Sequence, residues 1–186
     1  MNTLKINENH LHESEPRWFA VYTKYKREKL VQKRLQEQGI HTCLPIQRLT
    51  RQYERKVKTV ELPLISCYIF TRITKKEYVP ILNTADVLHF VKFSQNLIAI
   101  PDREIRLLQR ITGEGIEVEV EPKSFLVGEE VEIVSGSLAG LRGILLQKDR
   151  KKNFVIELSN IGFMLRISVE PAMLKRLAAG GQMRAR

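Results

Sequence analysis

The chain has 186 residues, 43% hydrophobic and 28% charged, which suits one ordinary domain or two small ones and excludes a wholly disordered protein. Its net charge of +10 favours polyanionic partners through Coulomb attraction and counterion release, with nucleic acid and its machinery foremost. No apolar run reaches the roughly 18 residues of a membrane span, and MNTLKINENHLHESEP lacks a signal-peptide core, so a cytoplasmic protein is expected.

Residues 1–15 are polar and aperiodic and read as a flexible tail. RWFAVYT, Arg17 to Thr23, is aromatic and β-branched, as strands are. In KYKREKLVQKRLQEQG the residues Leu30, Val31 and Leu35 form a helical stripe, and Gly39 is the natural stop. Lys24, Lys26, Arg27, Lys29, Lys33 and Arg34 occupy the rest of that helix surface, predicting a basic face. IHTCLPI, Ile40 to Ile46, predicts a second strand, and RLTRQYERKVKTVELPL a hairpin with a charged tip. LISCYIFTRI, Leu64 to Ile73, predicts a central strand. Residues 75–83 predict a short helix or an irregular turn broken by Pro80, and DVLHFVKF, Asp86 to Phe93, a further strand. Pro101 and Asp102 open a helix with Ile105, Leu108 and Ile111 on one face. The order β-α-β-β-β-(α)-β-α predicts an α+β domain, an antiparallel sheet with packed helices.

GEGIEVEVEP, Gly113 to Pro122, has no positive charge and reads as an acidic connector. From Phe125 the pattern turns to short strands: VGEEVEIV, GILLQKD, NFVIELS and FMLRISVEP. They predict a small all-β barrel, because closing the sheet leaves little free edge. Gly136, Gly140 and Gly143 interrupt this run. Their expected role is structural: positive φ in a tight loop and close approach of two backbones. No Lys-Ser/Thr follows them, so they are no phosphate cradle.

GEEVEIVSGSLAGLRGILLQ, Gly128 to Gln147, resembles the KOW motif of ribosomal proteins and NusG/Spt5 transcription elongation factors. RWFAVYTKYKREKLVQKRLQEQGIHTCLPI, ELPLISCYIFTRI, DVLHFVKF and IPDREIRLLQ resemble the NusG N-terminal (NGN) domain. The chain is thereby identified as resembling the NusG/Spt5 family. The likeness implies an NGN domain over 16–112, an acidic linker over 113–124 and an SH3-like KOW barrel over 125–177, with flexible tails at 1–15 and 178–186. Where the family has Phe-Pro-Gly-Tyr, this chain has Ile65-Ser66-Cys67-Tyr68. Where it has Ile-Phe-Gly-Arg, the nearest match is Asn160-Ile161-Gly162-Phe163, and the missing arginine counts against a contact with Rho. These departures, with HFVKF, make it similar to the specialised RfaH and UpxY-type antiterminators of polysaccharide operons. RfaH refolds its second domain into a helical hairpin; here glycine and β-branched residues predict a stable barrel.

The resemblance implies an RNA polymerase contact, in which an apolar pocket receives the clamp helices. The matching positions are Tyr22, Pro45, Ile65, Tyr68, Phe70, Phe93 and Leu108, with plain core packing as the competing role for each. A gate-loop contact would fall near Glu77 to Pro80, although the threonine-rich motif of RfaH is missing there. The non-template DNA strand would meet Lys24, Arg34, Gln38, Asn83 and Thr84, with a solvated helix face as the competing reading. In the second domain Ile161 and Phe163 match partner-binding positions, for which ribosomal protein S10 is the candidate. A monomer joining polymerase one to one is expected.

No catalytic constellation is present, and neither a metal nor a cofactor is expected. His10, His12, His41 and His89 are scattered, and no serine has a nucleophile-elbow context. Cys43 and Cys67 form no CxxC pair and read as small buried hydrophobes. The alternative function is a ribosome-associated KOW RNA-binding protein.

Overall fold

The computed structural model describes residues 7–53, 56–93, 95–113, 118–122, 128–148, 151–158 and 161–177. The chain divides into two compact units, Met1–Thr112 and Gly113–Arg186.

The first unit contains β1 (Arg17–Thr23), α1 (Glu28–Glu37), β2 (His41–Cys43), β3 (Ile46–Tyr53), β4 (Lys56–Pro63), β5 (Tyr68–Ile73), α2 (Lys75–Leu82), β6 (Val87–Phe90) and α3 (Asp102–Gly113). An antiparallel sheet runs β2-β5-β1-β6, and β3-β4 form a separate two-stranded ribbon. Trp18, Phe19, Ala20 and Val21 are buried in succession, so β1 is covered on both faces. On one face Phe19, Val21, Ile69 and Ile73 share a core with Val31 and Leu35 of α1 and Ile81 of α2. α3 buries Ile105, Leu108 and Ile111, the stripe expected from its sequence.

Several boundaries differ from the sequence reading. β2 ends at Cys43, because Pro45 has no N–H for a ladder, and Ile46 opens the ribbon instead. β5 begins only at Tyr68, since the four residues before it close a turn. α2 continues through Pro80, which stands near its C-terminal end, where the missing N–H costs one ladder bond. At its other end Thr74 and Glu77 form a capping box. The expected loose tail is tied down over residues 8–15. Leu97 N–H donates to the Glu8 carbonyl at 2.9 Å, and His10 N–H to the Leu97 carbonyl at 2.9 Å. Lys75 N–H donates to the His12 carbonyl at 2.9 Å, and Leu11 packs on the core. Residues 1–6 and 178–186, the rest of the expected tails, lie outside the described residues.

The second unit is one antiparallel sheet in the order β12-β8-β9-β10-β11-β7. Its strands are β7 (Val118–Pro122), β8 (Glu129–Ile133), β9 (Arg142–Lys148), β10 (Lys151–Leu158), β11 (Phe163–Ser168) and β12 (Leu174–Arg176). Phe154, Val155 and Ile156 are all buried, so β10 is covered on both faces. β7 lies within the stretch read as a connector. Its valines alternate with Glu119 and Glu121, and those carboxylates reach Arg166 of β11 at 3.9 and 2.8 Å. The acidity there serves strand pairing. Residues 114–117 and 123–124 of the expected linker lie outside the described residues.

The glycines divide the two tasks expected of them. Gly136 and Gly140 have φ of +77° and +85° in the loop between β8 and β9, and Gly140 N–H donates to the Ile133 carbonyl at 2.7 Å. Gly143 lies within β9. A Cβ there would meet the Val155 carbonyl and stand 2.8 Å from Phe154 Cζ, so it is the close-approach glycine.

Candidate functional site

Two loops close on the end of β1. Thr23 N–H donates to the Cys67 carbonyl at 2.8 Å, and Lys24 N–H to the Asp86 carbonyl at 3.0 Å. Cys67 and Asp86 both have left-handed backbones, with φ of 66° and 73°, and Lys26 of the next turn has φ 60°. L-residues hold that conformation at a cost of about 1–2 kcal/mol. Three such residues therefore converge on one rim of the sheet.

The rim has an aromatic part. Tyr22 meets Tyr68 edge to face, with centroids 5.4 Å apart, and stacks on His89 at 5.2 Å. Both tyrosines are half-buried and His89 is exposed. A side-chain hydrogen bond with Cys67, followed by the charge Cys67 can carry, pushes the Tyr22 hydroxyl above the ordinary tyrosine range. Burial does the same for Tyr68, reinforced by Tyr22 and Cys67. Beneath this patch Glu28, buried at the start of α1, accepts the Cys67 N–H at 2.7 Å.

The other polymerase-pocket candidates are deeper. Phe70 and Leu108 are fully buried, Pro45 is buried and Ile65 is 5% exposed; Phe93 is half-buried. The accessible members of the expected set are thus Tyr22, Tyr68 and Phe93.

The five expected DNA-facing residues fall close together. Arg34 donates to the Asp86 carboxylate at 2.6 Å and to the Ala85 carbonyl at 2.9 Å. Gln38 Nε2 donates to Thr84 Oγ1 at 3.1 Å, and Thr84, buried, also donates to the Pro80 carbonyl at 3.1 Å. Lys24 stands 3.6 Å from Asp86, and Asn83 caps the end of α2, exposed. The hydrogen bond from Arg34 holds the Asp86 carboxyl below the usual aspartate range, with the charges of Arg34, Lys24 and Arg27 adding to it. The basic face of α1 is partly neutralised, because Lys29 also pairs with Glu61 at 3.2 Å and Lys33 with Glu37 at 3.9 Å.

Sequence reasoning missed Glu28, Asp86 and the stacking of His89. The signal for Glu28 was a lone acid in the basic run KYKREK. In the second unit Ile161 is buried and Phe163 half-buried, flanking Gly162 at φ +78°; Asn160 lies outside the described residues. Both cysteines are free and buried, and burial pushes the Cys43 thiol up to about 11. Among the described residues no group of side chains could hold a metal, and no helix is long and apolar enough to cross a membrane.

The model of the family described as "Transcription termination factor nusG" matches residues 16–109, half of the chain. The chain belongs to the NusG family. Among solved structures it is similar to one titled for domain interaction in Thermotoga maritima NusG, at 19% identity and a TM-score of 0.54, over 88% of this chain and 98% of that one. At that identity the likeness is one of fold. An MjSpt4:Spt5 complex matches at 19% identity over 89% of this chain and 99% of that one, with a TM-score of 0.28. No curated protein matches. NusG-family proteins are non-enzymatic transcription factors. Cys67, third in the stretch Ile65-Ser66-Cys67-Tyr68, holds a left-handed backbone at φ 66°, which glycine adopts without steric cost. The Tyr68 N–H to Ile65 carbonyl bond of 3.4 Å closes that turn, and Glu28 holds it from below.

Proposed function

We propose that this NusG-family chain is a transcription elongation and antitermination factor that docks on RNA polymerase through its first unit and serves particular operons, of the polysaccharide type. The observation that carries the reading is the half-open Tyr22–Tyr68–His89 cluster on a NusG-family domain. Aromatic faces left partly in water gain most when a partner covers them, and a helix tip is the shape that fits a shallow apolar depression. The clamp helices of the largest polymerase subunit are that partner. Phe93 adds a contact, while Pro45, Ile65, Phe70 and Leu108 shape the patch from the core. The gate loop would meet Glu77 to Pro80, where Val79 stands exposed. Bridging the two holds the clamp closed and suppresses pausing, because a ligand favours the state it binds better.

The non-template DNA strand lies along Lys24, Arg34, Gln38, Asn83 and Thr84. In the second unit a KOW-type barrel offers Ile161 and Phe163 to a protein such as ribosomal protein S10, and the absent arginine counts against Rho. The protein works in the cytoplasm as a monomer, one per polymerase.

The test is retention of core RNA polymerase by the wild-type chain and by Tyr22→Ala and Tyr68→Ala, with circular dichroism as the folding check. Wild type retains polymerase, and each folded variant loses it at least about tenfold, as for a truncated aromatic hot spot. Wild-type protein that ignores polymerase and sediments with small ribosomal subunits sinks this reading in favour of a ribosome-associated KOW protein.

A further inference from the structure

The second unit holds a cavity of about 260 Å³ that none of the proposed contacts uses. Its bed is apolar: Ile133 of β8, Leu138 of the loop that follows and Ile167 of β11 are all buried. Met173 forms one wall, and Ser135, Ser168 and Glu170, all exposed, line the rest. The walls are fixed by the backbone. Val134 N–H donates to the Met173 carbonyl at 2.8 Å, Met173 N–H to the Glu170 carbonyl at 3.0 Å, and Gly140 N–H to the Ile133 carbonyl at 2.7 Å. A Cβ on Gly136 would stand 4.0 Å from Met173 Sδ, so the left-handed glycine loop lies directly against that wall. The cavity is preformed, as binding sites for small groups are, and it shares no residue with Ile161 and Phe163.

Size is the first limit on an occupant. The volume suits one long side chain and falls below drug-sized pockets, which run about 300–1,000 Å³. Charge is the second limit. Glu119, Glu121, Glu129 and Glu132 of the same unit each pair with an arginine, whereas Glu170 has no ion pair among the described residues. A nucleic-acid phosphate would meet that carboxylate as a like charge. The hydroxyls of Ser135 and Ser168 can accept hydrogen bonds beside it. An apolar bed that ends in a carboxylate and hydroxyl oxygens fits a side chain with an apolar stem and a head that only donates. Lysine and arginine are the two such side chains. The planar arginine fork spreads five donors over these acceptors, against three on an ammonium. We infer that this cavity receives an arginine side chain of a partner protein, with the stem against Ile133, Leu138, Ile167 and Met173 and the guanidinium on Glu170 and the two serine hydroxyls. The inference stands on the second unit alone and is independent of the polymerase and DNA contacts proposed for the first.

The experiment titrates the full chain, with isotope-labelled methyl groups, against the blocked tripeptide acetyl-Gly-Arg-Gly-amide and against the same peptide carrying citrulline, the neutral isostere. The arginine peptide shifts the methyl resonances of Ile133, Leu138, Ile167 and Met173 to saturation, and the citrulline peptide binds about 1.5- to 5-fold more weakly, the range for an exposed ion pair. Glu170→Gln erases that difference and keeps the remaining binding of both peptides. Ser168→Leu, which fills the cavity from an exposed position, removes the shifts, with far-ultraviolet circular dichroism as the folding check. Equal affinity of the wild-type chain for the two peptides overturns the charge recognition. Absence of shifts at these methyls, or shifts confined to Ile161, overturns the site. A DNA single strand that moves the same methyls while the arginine peptide does not overturns it in favour of nucleic acid.

Discussion

Among the described residues of the second unit, every left-handed backbone belongs to a glycine: Gly136, Gly140 and Gly162. In the first unit Gly39 is accompanied by Lys26, Cys67, Asp86 and Gln95. Glycine turns a chain without steric cost, whereas a side chain in that conformation must be held by its surroundings. Three of the four strained residues gather at the end of β1, beside Tyr22 and Arg34. The second unit leaves its left-handed turns to glycine, whereas the first also sets side chains in them.

That contrast can be broken most forcefully at Gly143, whose constraint is proximity and not φ. Gly143→Val drives a side chain into the Val155 carbonyl and the Phe154 ring, and should cost about 1–3 kcal/mol or more. Urea unfolding followed by far-ultraviolet circular dichroism measures it; an unchanged midpoint would show that β9 and β10 can part freely. Next comes Glu28, which holds the Cys67 turn. Glu28→Ala leaves the Cys67 N–H unmet in the interior, a loss of about 1–3 kcal/mol visible in the fluorescence of Trp18. Glu28→Gln should recover part of it, because its amide oxygen still accepts.

A pair of exchanges sharpens the comparison through sign. Gly140→Ala should destabilise by about 1 kcal/mol, and Cys67→Gly should stabilise by up to about 1 kcal/mol. Equal signs in thermal unfolding would mean that the two left-handed sites are held alike. The smallest effect is one of pH. Asp86 is depressed in the fold by Arg34, so its contribution is complete above the ordinary aspartate range and is lost as acid carries the pH down through the folded value. Stability titrated below about pH 4 should therefore fall less steeply for Arg34→Ala than for wild type.

The elements visible in the sequence were those whose burial imposed a period. The α3 stripe of Ile105, Leu108 and Ile111 and the unbroken apolar run of β1 follow directly from their packing. β7 shows the limit. Its valine–glutamate alternation has the strand period, but the glutamates gave it the composition of a linker until Arg166 was seen to lie opposite them. The candidate group Arg34, Gln38 and Thr84 came from resemblance, and the structure brings these residues close together from distant points of the chain. Their scaffold was hidden, because Asp86 and Glu28 act through single hydrogen bonds that carry no periodic signal. Ile65 is the opposite case: hydrophobicity cannot tell a docking residue from a core one, and only its burial does.

The match to the family begins at residue 16, yet the first sheet's surroundings begin earlier. Glu8, His10 and His12 meet the backbone of Leu97 and Lys75, His10 Nδ1 accepts the Ala99 N–H at 3.1 Å, and Leu11 covers the core. A chain cut at the start of the shared region would keep all that marks its kinship and strand those partners in water. Here common descent is drawn along a shorter line than cooperative folding, and a fragment chosen by likeness alone would be an incomplete heir.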